Sequence, residues 1–111
     1  KYTPDFYEKL PEVFGKVIET YAWWRLSQQF DDVAFWRRRH DEVDFVVTDT
    51  TGERLPLEVK FGARIRNEEL RPMVEFMTRQ RLNRGMVLTR NTVDSRTLDG
   101  HRIDMMPFYL L

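Results

Sequence analysis

Apolar residues return along the first third of the chain at the spacing of one helical face. Between Leu10 and Phe30 they are Val13, Phe14, Val17, Ile18, Tyr21 and Trp24, with Pro11 placed near a helix start. The pattern then shortens. Val33 to Arg37, Glu42 to Thr48 and Arg54 to Phe61 are brief runs rich in β-branched and aromatic residues, separated by the turn-prone RHDE and DTTGE. They predict three consecutive antiparallel strands. From Asn67 the segment NEELRPMVEFMTRQRL offers an Asn cap, early acids, and Leu70, Val74 and Met77 on one side, which predicts a second helix. Pro72 fits that helix only in its first turn or at a kink. RGMVLTR predicts a fourth strand, NTVDSRTLDG a loop, and RIDMMPFYLL a final strand or packed tail. The order helix, three strands, helix, strand implies an α/β domain with a mixed sheet.

The three-residue loop Thr50-Thr51-Gly52, with Gly in the left-handed position, also predicts a register. Asp49 faces Glu53, so Asp44 falls opposite Glu58 and Glu42 opposite Lys60, all on one face. Directly opposed residues have Cβ atoms about 4.5–5.5 Å apart, and like charges so placed repel. A cation is therefore expected there. Lys60 can serve, or a divalent ion can take both carboxylates and keep positions for water and a phosphate oxygen. On the first helix, Glu19 lies along the line of Trp23, Leu26 and Phe30, at the border of the buried side, and is a third candidate acid.

At 111 residues the chain has the length of one domain, residues 1–111, large enough for a core and too short for two. Hydrophobic residues make up 41% and charged residues 32%, with short apolar runs, which predicts no membrane span and a cytoplasmic protein. The absence of Cys removes disulfides and thiolate zinc sites, and His40 and His101 are too few and too far apart for a familiar zinc pattern, so any metal is a hard ion held by oxygen. The net charge is zero. Local arginines nevertheless gather at Arg37-Arg38-Arg39, at Arg64 with Arg66, and at Arg79, Arg81 and Arg84, where they form either solvated surface or phosphate contacts. The opening Lys1-Tyr2-Thr3 has neither methionine nor a leader and points to a piece of a longer chain.

Glu19 on a helix, Asp44 on a strand, and Glu58-Val59-Lys60 on the next strand resemble the PD-(D/E)XK nuclease-like superfamily, whose restriction-endonuclease-like core has this order of elements. More narrowly, GKVIETYAWWRL, FWRRRHDEVDFVV, RLPLEVKFG and NEELRPMVEFM are similar to the uncharacterised C-terminal domain that follows an AAA-type ATPase in many archaeal and bacterial proteins. The similarity runs over most of the chain. Val43 stands where a proline often precedes the motif's Asp, and no GxxxxGK[ST] phosphate loop occurs, so these residues are not themselves the ATPase. The resemblance implies that Asp44 and Glu58 ligate Mg²⁺ or Mn²⁺, with the Val59 carbonyl as a further ligand. It implies that Lys60 orients the attacking water and steadies charge on the phosphate, while Glu19 holds a metal-bound water or second ion. DNA phosphodiester hydrolysis is the implied reaction, with Arg37, Arg38, Arg39, Arg64 and Arg66 as nucleic-acid contacts. Two other readings stay open: a non-catalytic nucleic-acid or protein interaction module of the ATPase, and a homo-oligomerisation domain using the MMPFYLL tail.

Overall fold

The computed structural model describes residues 21–22, 24–29, 32–35, 43–48 and 51–111. Residues 21–22 and 24–29 are helical and are called α1. Among the described residues six strands follow: β1 (Asp32–Phe35), β2 (Phe45–Thr48), β3 (Arg54–Val59), β4 (Arg84–Thr89), β5 (Asp94–Leu98) and β6 (His101–Pro107). The helix α2 (Asn67–Gln80) joins β3 to β4, and a short 3-10 turn, Phe108–Leu110, ends the chain.

The strands form one mixed sheet in the order β1-β2-β3-β4-β6-β5. β1, β2 and β3 are an antiparallel meander, β3, β4 and β6 run parallel, and β5 lies antiparallel at the far edge. The register between β2 and β3 runs from Phe45 opposite Leu57 to Thr48 opposite Arg54, which is the register the Thr-Thr-Gly loop predicts. Pro56 pairs with Val46 inside this ladder. Successive side chains leave a strand on opposite faces, and the core divides accordingly. Ala22 and Leu26 of α1 bury against Phe45, Val47, Leu57 and Leu88 on one face. On the other, Leu70, Met73, Val74, Phe76 and Met77 of α2 pack over Val46, Val87, Ile103 and Met105. Among the described residues no helix is long and apolar enough to cross a membrane.

Two local expectations need correction, and one of the two alternatives for Pro72 is excluded. Asn67 does not cap α2: Arg66 is the cap residue, its N–H donates to Glu69 Oε2 at 3.0 Å, and the Asn67 side chain instead accepts from Arg96 Nη1 of β5 at 3.0 Å. Pro72 is the sixth residue of the helix rather than part of its first turn. It cannot donate to the Glu68 carbonyl, but both residues are exposed, so water can take that carbonyl. Finally, NTVDSRTLDG is not a loop: Asp94–Leu98 is a strand paired with β6. Asp99 and Gly100 turn the hairpin with φ of 50° and 81°, the pair of left-handed residues that a tight two-residue connection requires.

Candidate functional site

β2 ends its pairing with β3 at Phe45, and Asp44 takes over from there. Its N–H donates to the Leu57 carbonyl at 3.0 Å, and its Oδ2 accepts the N–H of Val59 at 2.8 Å. The carboxylate thus substitutes for the next rung of the ladder, and the expected Asp44–Glu58 rung lies just beyond the paired residues. Because Asp44 bonds the amide of the residue that follows Glu58, the two acids are neighbours. Both are buried, at 4% and 6% exposure. On its other edge β3 continues into β4, where the Lys60 N–H donates to the Leu88 carbonyl at 3.0 Å. In an extended strand the N–H and C=O of one residue leave by the same edge, so the Val59 carbonyl is directed to the side on which Asp44 sits.

Glu58 alternates with Leu57 and Val59, which pack on the α1 side, so Glu58 projects from the α2 side of the sheet. Lys60 Nζ lies 3.9 Å from Glu58 Oε1, and its side chain is 28% exposed. A buried acid is therefore reached from solvent through an amine at the end of β3. Asp44, Glu58, Val59 and Lys60 are brought together. Arg64 and Arg66 are exposed on the connection from β3 to α2. Glu19 and Arg37, Arg38 and Arg39 lie outside the described residues. The described residues of α1 occupy the face opposite to the one from which Glu58 projects.

Oxygen donors in this arrangement suit a hard cation. Among the described residues no group of three or more His, Cys, Asp or Glu side chains could hold a metal. Mg²⁺ asks for less than that, since it is commonly bound by one or two carboxylates and keeps its remaining positions for water and phosphate. Two buried acids at neighbouring positions are within that smaller requirement, so the donor types fit such an ion.

Sequence reasoning missed a second group at the same end of the sheet. Phe61 follows Lys60, Arg90 follows β4, and Phe108 and Tyr109 follow β6. The Arg90 guanidinium carbon stands 4.9 Å from the centre of the Phe61 ring. Phe61 and Phe108 are 5.5 Å apart, as are Phe108 and Tyr109. These residues are distant in sequence, and only the parallel alignment of β3, β4 and β6 gathers them. An apolar cavity of about 200 Å³, lined among others by Leu26, Val47, Leu55 and Met106, contains no acid or base and offers no chemistry.

No curated protein and no solved structure matches the chain. Residues 14–111 match a family described as a domain of unknown function, DUF4143. That match spans most of the sequence, and the chain belongs to the DUF4143 family.

Proposed function

We propose that this domain is a divalent-metal-dependent phosphodiester hydrolase of the PD-(D/E)XK type that acts on DNA, as the C-terminal part of an AAA-type ATPase. The observation that carries the reading is the burial of Asp44 and Glu58 side by side at a strand end, with the Lys60 amine 3.9 Å from the second acid. DUF4143 domains are commonly found at the C-terminus of AAA-type ATPases, which supports the proposed context.

In this reading Asp44, Glu58 and the Val59 carbonyl hold Mg²⁺ or Mn²⁺. An ion there supplies Lewis-acid charge to the phosphodiester and to the attacking water. The Val59 N–H fixes one oxygen of Asp44 and so sets the orientation of the carboxylate before any ligand arrives. Lys60, partly exposed, would donate an N–H hydrogen bond to a non-bridging phosphate oxygen or to the oxygen of the attacking water, keeping its ammonium charge to offset the negative charge that grows on the phosphate. Glu19 is assigned the support of a second water or ion, and Arg64 and Arg66, with Arg37 to Arg39, the contacts to the phosphate backbone.

Incubation of the protein with supercoiled, linear, single-stranded and branched DNA in Mg²⁺ or Mn²⁺ tests this. Nicking by the wild type that Lys60→Ala abolishes is the expected result. One observation favours a second reading, a non-catalytic docking module: Asp44 Oδ2 already accepts the Val59 N–H and Glu58 already faces Lys60, so the acids also serve the fold. Wild-type protein inert on every substrate, yet binding DNA with an affinity that falls with salt and with removal of Arg64 and Arg66, selects that reading.

A further inference from the structure

We infer that the aromatic end of the sheet is a stacking platform for the unpaired bases of single-stranded nucleic acid. The platform is separate from the acidic site proposed above, and the inference does not rest on that reading.

The strands β3, β4 and β6 run parallel, so their C-terminal ends emerge together. Phe61, Arg90, Phe108 and Tyr109 occupy those ends. Tyr21 of α1 adds an edge-on ring 5.9 Å from Phe108. Phe108 is spent on the fold, since it packs against the buried cluster under α1. Tyr109 is less so: its hydroxyl donates to Asn91 Oδ1 at 3.4 Å and its ring meets Phe108, yet it is 54% exposed, as is Trp24 of α1. Arg90 is exposed as well. Burial of the core therefore does not explain why these rings and this guanidinium stand at the surface.

Their chemistry fits one ligand class. An aromatic face takes a base without regard to its identity, and a guanidinium beside it takes the phosphate. Duplex stacking hides base faces from side chains, so only unpaired nucleotides present them. A cation stands on the platform's own face: the exposed Arg90 lies over the Phe61 ring, while Arg25 of α1 is engaged by the Leu111 carbonyl at 2.8 and 3.2 Å. Lys60 leaves β3 beside Glu58 on the α2 side, whereas Phe61 meets Phe108 of the α1-side cluster. The acids and the rings thus share one end of the sheet and lie on its two faces.

The test is fluorescence anisotropy with labelled oligothymidylate and oligouridylate, in EDTA so that neither metal nor cleavage enters. Tyr109→Ala and Arg90→Ala, both at exposed positions, should each weaken binding of the preferred strand by about fivefold or more. Tyr109→Phe keeps the ring and should bind like the wild type, and binding of a blunt duplex should not change in Tyr109→Ala. Undiminished binding in Tyr109→Ala, loss in Tyr109→Phe equal to that in Tyr109→Ala, or an equal loss on the duplex overturns the inference. The two proposals fail separately: a protein that cuts nothing but binds the single strand through Tyr109 retains the platform and loses only the hydrolase.

Discussion

Asp44 replaces a rung of backbone pairing with a side-chain bond, and that gives it a structural duty besides any chemical one. Its Oδ2 is the acceptor for the Val59 N–H at a buried position. Removing an acceptor from a buried donor costs about 1–3 kcal/mol, so Asp44→Ala should lose stability of that order in chemical denaturation. Asp44→Asn keeps an oxygen to accept the same N–H and should stay within about 1 kcal/mol of the wild type. Equal losses in the two variants would mean that the charge, and not the hydrogen bond, holds the strand end. Asn therefore separates chemistry from fold at this residue. Lys60 needs the same care. Its amine lies 3.9 Å from a Glu58 carboxylate that is only 8% exposed, and removing one partner of a buried pair leaves the other charge uncompensated, so Lys60→Ala should lose stability, and a loss of cleavage in it is chemical only where denaturation shows the variant still folded.

At the scale of elements, the β5–β6 hairpin at the sheet's edge is paired through its backbone and carries ion pairs within each strand and from Asp104 to β4. The Asp94 carboxyl is lowered from its ordinary 3.8 by the Arg96 side chain and then by the Ser95 N–H. Partial burial pushes the Asp104 carboxyl up, but hydrogen bonds from Arg102, Ser95 and Arg84 outweigh it and leave it below 3.8 as well. Between the folded values and 3.8 the unfolded chain binds more protons than the native one, so stability rises with pH across that window. The contribution is complete above 3.8 and is lost on acidification through the folded values. A series of melting temperatures against pH should show a shallower acid limb in Asp104→Asn than in the wild type; superimposable limbs would contradict the assignment. On the neighbouring strand, Gly85 lets α2 approach: a Cβ there would come within 3.1 and 3.2 Å of the sulfurs of Met77 and Met73. Gly85→Val should overpack this contact and cost about 1–3 kcal/mol in denaturation. The elements were largely legible in the sequence because their periods are clean. β5 was not, because its DSRTL has mostly exposed side chains and no apolar alternation to announce a strand. Its one signal was the Asp99-Gly100 pair, a hairpin dipeptide hidden inside a polar stretch. The cap of α2 was displaced by one residue because the Asn67 side chain is spent on Arg96, a partner 29 positions away.

For the whole molecule, the sheet order decides what can be read locally and what cannot. Asp44, Glu58 and Lys60 could be placed together from one turn and one alternation, since a hairpin register is local information. The rings at the other strand ends could not, because their meeting depends on β6 entering between β4 and β5, which no short segment encodes. The same topology puts the acids and the rings at one end of the domain, where β2 begins and the parallel strands finish, the usual place for a ligand on such a sheet. Membership of the DUF4143 family names no activity, so the acids must be judged by what they bind. Calorimetric titration of Mn²⁺ into the wild type, Asp44→Asn and Glu58→Gln does this most directly. Saturable heat in the wild type that both variants lose is the predicted result; no heat in the wild type, or the same heat in all three proteins, would contradict a metal centre at these carboxylates.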